Sequence, residues 1–141
     1  DYWTFPSYDE LRKMTHQQLK AVDDFEVGRN GFGKVRFRRP VDLTVFGSLS
    51  AIAGHVVIFD RRMCTVYPDE ATKHEVGHGL NVPAQITLEQ CWVFDKATRR
   101  AIVDPSNPRY QQQIKRLKSV PETEFVEFDA NTGVWVFRVE H

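Results

Sequence analysis

Two histidines and the glutamate between them offer the most obvious chemistry in this sequence. The segment His74-Glu75-Val76-Gly77-His78 matches the pattern H-E-x-x-H. On a helix, this spacing turns both imidazoles toward one zinc ion and leaves the glutamate to activate a bound water. The pattern therefore raises the hypothesis of a zinc-dependent hydrolase.

The residues around this motif do not support a zinc site. Gly77 lies inside the motif and Gly79 follows it, and glycine weakens a helix. Asn81 and Ala84 stand where the extended motif needs a glycine and a third histidine. The next glutamate, Glu89, lies in a strand-like run. We therefore expect no metal and no cofactor, and the alternative interpretation of the motif is a polar loop.

A second candidate is the glycine-rich segment 28–34, which has the composition of a phosphate-binding loop. Such a loop needs Ser or Thr after its lysine and a helix beginning there, but Val35 follows and the next segment is strand-like. Nucleotide binding is therefore rejected. The segment is also loosely similar to the RRM strand motif, whose aromatic side chains stack on RNA bases. The candidate RNA-binding residues are Gly28, Gly31, Phe32, Gly33, Lys34, Arg36 and Phe37.

Two other interpretations of this region stay open. The glycines fit a hairpin turn that needs positive φ angles. Lys34, Arg36 and Arg38 alternate with apolar residues, so they lie on one face of a strand. That face is either a solvated face of an edge strand or a docking patch for an acidic partner.

Composition limits the class of protein. With 141 residues the chain can form one domain around one core, and we predict a single domain over 1–141. Nineteen basic and nineteen acidic residues give zero net charge, which argues against binding nucleic acid or anionic membranes through bulk charge. No apolar run approaches the roughly 20 residues that span a bilayer, so we expect no membrane insertion. Cys64 and Cys91 lie in apolar stretches without CxxC spacing, which favours two reduced core thiols over a disulfide.

The helices that must position these residues have clear start signals. Ser7 with Glu10 and Thr15 with Gln18 form two successive capping boxes, which predict a short helix and a restart. Asn107 before a proline predicts the start of a later helix.

Strand-like runs occupy most of the remaining chain. They are 25–27, 34–38, 41–45, 55–59, 63–67, 86–88, 92–94, 124–128 and 134–139, with a helical turn at 48–53 and a loop at 68–81. The last run is apolar on both faces, which predicts an interior strand. The predicted fold class is α+β: a mainly antiparallel β-sandwich-like domain flanked by short helices.

An ordered set of short motifs extends over essentially the whole chain and resembles the nucleoporin autopeptidase domain, the C-terminal autoproteolytic domain of the GLFG-repeat nucleoporins. In its details, the sequence is more similar to fungal members of this family than to animal ones. The motifs are Pro6-Ser7-x-x-Glu10-Leu11, Val27-Gly28-Arg29-x-Gly31-x-Gly33, Val66-Tyr67-x-Asp69, Val76-Gly77-x-Gly79-Leu80-Asn81, Asp95-Lys96-x-Thr98-Arg99 and Thr132-Gly133-x-Trp135-x-Phe137-x-Val139-x-His141. Members of this family vary within 73–79, which argues further against a metal site there.

The resemblance implies a self-cleavage at His-Phe-Ser, between Phe and Ser. The Ser hydroxyl would attack the preceding carbonyl, with His141 as general base and Asn81 assisting the oxyanion. The sequence stops at His141, where that tripeptide begins. We therefore expect serine-type self-cleavage only in a longer precursor and no activity in the chain as given. The chain could be a cleaved product, a shortened piece or a paralogue that ends near the motif.

The resemblance also implies a docking module of the nuclear pore complex, in the nuclear envelope, that supports transport of protein and mRNA. The expected partners are a β-propeller nucleoporin of the cytoplasmic face and the N-terminal tail of a scaffold nucleoporin, released by the cleavage. Segment 27–37 corresponds to a family RNA-binding motif, and zero net charge predicts weak, salt-sensitive RNA binding. We expect the domain to be monomeric, and the sequence does not indicate which surface binds the propeller.

Overall fold

Two antiparallel sheets and three α-helices make up the computed structural model, which describes residues 1–141. The large sheet has six strands in the order β1-β2-β3-β6-β8-β7, and β4 and β5 form a separate hairpin. The strands are β1 Tyr2–Phe5, β2 Glu26–Arg29, β3 Gly33–Phe37, β4 Val57–Asp60, β5 Met63–Val66, β6 Ala84–Leu88, β7 Glu124–Asp129 and β8 Val134–Val139. The helices are α1 Tyr8–Arg12, α2 His16–Leu19 and α3 Pro108–Lys118. The predicted α+β class is confirmed.

The helix starts follow the local sequence. Ser7 and Glu10 cap α1 reciprocally, with both backbone-to-side-chain hydrogen bonds at 3.2 Å. Thr15 and Gln18 repeat the arrangement at α2, at 2.8 and 3.1 Å. The Asn107 side chain accepts a hydrogen bond from the backbone N–H at the start of α3. None of the helices has the length and apolar character that crossing a bilayer requires.

Several predicted strands differ from the structure. Segment 41–45 is not a strand, because the Asp42 carboxylate accepts from the Thr44 N–H at 2.9 Å and starts a 3₁₀ turn, Leu43–Val45. Segment 92–94 forms only an isolated bridge between Phe94 and Ala101. Strand β1, Tyr2–Phe5, was not predicted from the sequence.

The core lies on one side of the large sheet. Twenty-one buried residues form a single cluster, which includes Phe25 and Phe37 with ring centroids 6.0 Å apart. Residues of the β4–β5 hairpin, such as Phe59, and Leu117 of α3 belong to the same cluster. The hairpin and α3 therefore cover the apolar face of the sheet, as a sandwich-like fold requires.

Strand β8 is an interior strand, as predicted. It pairs with β6 on one side and β7 on the other, and Phe137 lies opposite Ile86 and Phe125. Trp135, Val136 and Phe137 are buried, so both faces of the strand are covered. The strand therefore holds the backbone that leads to His141 in a fixed position.

Candidate functional site

A pocket of about 180 Å³ lies beside the end of β8 and contains both predicted catalytic residues, His141 and Asn81. Ten of its thirteen lining residues are hydrophobic. They come from β3, β5, β6, β8 and the loop before β6. The lining residues are Val35, Phe37, Cys64, Val66, Tyr67, Lys73, Leu80, Asn81, Val82, Ala84, Ile86, Val139 and His141.

Tyr67 fixes the loop that forms one wall of this pocket. Its hydroxyl accepts a hydrogen bond from the Leu80 N–H at 2.9 Å and lies 2.7 Å from His74 Nδ1. The side chain is only 5% exposed, and this burial raises the pKa of the Tyr67 phenol. Its φ is +58°, a region that costs energy for a non-glycine residue and recurs at functional sites.

Asn81 is tied into the same loop. It is 5% exposed, and its Nδ2 donates to the His74 carbonyl at 2.8 Å. The backbone carbonyl of Asn81 accepts a hydrogen bond from the Gly77 N–H at 2.7 Å. These bonds use one of the two amide N–H groups and fix the direction of the side chain.

The zinc hydrolase hypothesis requires the H-E-x-x-H motif to lie on a helix, and this premise is wrong. Segment 73–81 is a series of turns and not a helix, with φ values of +91° at Gly77 and +55° at Gly79. His74 and His78 therefore do not share a helix face, and His74 Nδ1 is occupied by the Tyr67 hydroxyl. Nowhere in the chain do three His, Cys, Asp or Glu side chains form a group that could hold a metal ion.

The glycines of the candidate RNA motif have packing roles. A Cβ at Gly33 would lie 2.1 Å from the Thr87 carbonyl oxygen of the neighbouring strand. A Cβ at Gly28 would lie 2.2 Å from the Trp3 indole. Gly31 has φ +84° in the turn between β2 and β3. The glycines are therefore explained by the close approach of other groups and by the turn.

Of the two aromatic residues of the same motif, Phe37 is buried and Phe32 already packs against an arginine. Phe37 is 1% exposed, which corrects its assignment as an RNA-stacking residue. The Phe32 ring lies under the Arg29 guanidinium, 3.9 Å from its centroid. RNA binding by this segment stays a prediction.

Lys34 and Arg36 are exposed on the face of β3 that points away from the core, as their alternation predicts. Their ammonium and guanidinium groups lie 3.5 Å from Glu26 and 3.8 Å from Asp24, respectively. The edge-strand interpretation is wrong, because β3 pairs with β2 and with β6.

A second recess also borders His141. This recess, of about 360 Å³, is lined by six residues, none of them hydrophobic. Glu122, Thr123, Glu124, Arg138 and Glu140 line it together with His141. His141 therefore stands between an apolar pocket and a polar one. Sequence reasoning found neither, because the lining residues are scattered along the chain.

Both cysteines are free thiols, as the composition favours. Burial raises the pKa of the Cys64 thiol, which lines the apolar pocket, to about 12. The pKa of Cys91 is also raised by burial. Because the thiolate is the nucleophile, we expect both thiols to react slowly at neutral pH.

The structure thus defines an α+β domain whose interior strand ends at an apolar recess. The family model described as Nucleoporin2, Nup98-96 autopeptidase S59, matches residues 1–141. Nucleoporin nup189 of Schizosaccharomyces pombe is 50% identical over 141 residues, which is 100% of this chain and 8% of that protein. Nucleoporin NUP145 of Saccharomyces cerevisiae is 40% identical over 144 residues, covering 99% of this chain and 11% of that protein. The chain thus spans only a small part of these relatives.

Similar solved structures point to the same family. A chain in the structure of the yeast heterotrimeric Nup82-Nup159-Nup116 nucleoporin complex has a TM-score of 0.90 at 36% identity, covering 100% of this chain and 96% of that chain. A chain of the Chaetomium thermophilum Nup145N APD mutant fused to Nup145C N has a TM-score of 0.89 at 42% identity, covering 100% and 94%. The chain therefore belongs to the Nup98-96 autopeptidase family. Its relatives are nucleoporins, so it is a domain of the nuclear pore complex in the nuclear envelope, as predicted.

Proposed function

We propose that residues 1–141 act as a single docking module of the nuclear pore, and that the pocket beside the end of β8 holds an extended peptide segment from another nucleoporin. The observation that carries this proposal is the placement of His141 and Asn81 in one mainly apolar pocket. An apolar recess with a few polar groups suits a short peptide that anchors one side chain. Two solved relatives support it, since one lies in a complex with other nucleoporins and the other is fused to a second nucleoporin segment.

The same pocket serves self-cleavage when the chain continues past His141 with Phe-Ser. The interior strand β8 would deliver the scissile peptide at a fixed place, which lowers the entropic part of the barrier. His141 is the general base for the Ser hydroxyl. The second Nδ2 hydrogen of Asn81 is the candidate oxyanion donor, because the first is bonded to the His74 carbonyl.

Self-cleavage is tested with a precursor extended by Phe-Ser and a short tail. It should separate into two bands on a denaturing gel, and the variant with Ala in place of that Ser should stay whole. His141→Ala should slow cleavage by at least about 100-fold if histidine acts as the base. An intact precursor would remove self-cleavage for this member and leave docking in place.

Docking is tested by titrating a fluorescent peptide that corresponds to the released tail. Lys73→Glu changes an exposed lysine that lines the pocket, whereas Lys96→Glu makes the same charge change in an exposed loop away from it. We expect Lys73→Glu to weaken binding by about tenfold and Lys96→Glu by less than about twofold. Equal effects would place the peptide elsewhere. The same pair of variants, in a pull-down with a β-propeller nucleoporin, tests whether that partner uses this face.

A further inference from the structure

A recess of about 580 Å³ lies apart from the His141 pocket and shares no lining residue with it. The turn between β4 and β5, the loop after β6 and helix α3 form its walls. Its lining residues are Arg62, Trp92, Val93, Phe94, Arg109, Gln112, Gln113 and Arg116. Three arginines, two glutamines and three apolar residues therefore meet here, without any acidic side chain.

The three arginines are held by hydrogen bonds to neutral acceptors and not by ion pairs. Arg62 Nε donates to the Gln90 carbonyl at 2.9 Å, and Arg109 Nη1 donates to the Phe94 carbonyl at 2.6 Å. Arg116 donates to the Gln113 side chain, which itself donates to the Cys91 carbonyl at 3.2 Å. Each guanidinium has five N–H donors, so most of them remain available.

None of these arginines takes part in an ion pair. The four ion pairs of the chain involve Arg12, Arg29, Lys34 and Arg36, all in its first 36 residues. Asp95 is not among the lining residues but is close enough to Arg109 to interact with it electrostatically, whereas no such acidic neighbour is found for Arg62 or Arg116. The recess therefore keeps a net positive charge, and like charges gathered in one place attract an anion. Guanidinium groups bind carboxylates through two parallel hydrogen bonds, which are stronger than neutral ones.

We infer that this recess binds an acidic peptide segment in which carboxylates flank an apolar or aromatic side chain. The arginines take the carboxylates, and Trp92, Val93 and Phe94 provide the apolar surface. Phe94 is 40% exposed, so its ring is available for contact. RNA is the less suitable ligand, because RNA affinity comes from neutralising many phosphates along a track and this chain has no net charge.

The probe is a fluorescein-labelled Glu-Glu-Phe-Glu-Glu peptide, with a Gln-Gln-Phe-Gln-Gln peptide for comparison, followed by fluorescence anisotropy. The test variant replaces all three arginines: Arg62→Gln, Arg109→Gln and Arg116→Gln. The matched control removes the same charge from the exposed loop outside the recess: Lys96→Gln, Arg99→Gln and Arg100→Gln. All six side chains belong to exposed residues, and thermal melts verify that both variants fold.

We expect the acidic peptide to bind, the glutamine peptide to bind at least about tenfold more weakly, and salt to weaken the interaction. The recess variant should lose about tenfold or more in affinity, and the loop control less than about twofold. Three results would overturn the inference: no binding of the acidic peptide at millimolar concentration, equal losses in both variants, or an oligouridine that binds more tightly than the peptide through the same arginines. A self-cleavage failure would not affect this experiment, since the two recesses share no residue.

Discussion

Removal of one hydroxyl group, in Tyr67→Phe, tests whether the pocket wall depends on a single bridging residue. The Tyr67 hydroxyl joins the Leu80 N–H and His74 Nδ1, at 2.9 and 2.7 Å. Phenylalanine keeps the ring against Phe46, whose centroid lies 6.4 Å away, but leaves the buried Leu80 N–H without a partner. An unsatisfied buried donor costs about 1–3 kcal/mol. We therefore expect the free energy of unfolding to fall by that amount.

The measurement is urea unfolding followed by tryptophan fluorescence, since the slope and midpoint together give the free energy. Tyr110→Phe is the matched control, because its hydroxyl makes no hydrogen bond and its ring packs on Phe128. The control should change stability by less than about 0.5 kcal/mol. A double-mutant cycle with His74→Leu should show a coupling of at least about 0.5 kcal/mol.

A functional readout accompanies the stability measurement. Because Leu80 and Asn81 line the pocket, a displaced wall should also weaken binding of the tail peptide. If Tyr67→Phe is as stable as the parent and binds the peptide equally well, the bridge does not support the wall and the reasoning fails.

Four further outcomes can be checked. Gly33→Ala should lower the free energy of unfolding by at least about 2 kcal/mol, because the alanine Cβ would collide with the carbonyl of Thr87 on the paired strand. Gly47→Ala is the control, since a Cβ there has nothing within 4 Å, and it should be nearly neutral in the same unfolding assay. Cys64, with a pKa of about 12, should react with iodoacetamide at pH 8 about 1,000-fold more slowly than a free cysteine, and an ordinary rate would contradict its burial. The pKa of the Cys64 thiol is higher in the folded chain than in the unfolded chain. Its contribution to the free energy of unfolding is therefore complete below about pH 8.5 and declines above that pH, as a pH series of unfolding curves can measure. Ser7→Ala should cost about 1 kcal/mol through loss of the α1 cap, seen as a lower melting temperature, and an unchanged one would mean that the cap is not needed.

Features set by neighbouring residues could be predicted from the sequence. The two capping boxes, the start of α3 and the closing hairpin all depend on hydrogen bonds or alternation within a few residues. The apolar character of 134–139 also indicated an interior strand, since only burial on both faces tolerates it. The family resemblance supplied His141 and Asn81 as candidates, which local pattern alone did not.

Features that depend on distant residues could not be predicted in this way. The glycines at 77 and 79 predicted a loop in place of a helix for the H-E-x-x-H motif, but the contact between Tyr67 and His74 that fixes this loop could not be predicted. The arginine recess draws on residues from 62 to 116, and the His141 pocket on residues from 35 to 141. The sequence by itself determined the elements whose stabilising bonds are local. Tertiary packing decided which side chains meet in each recess, because that depends on strand order and on how the hairpin and α3 cover the sheet.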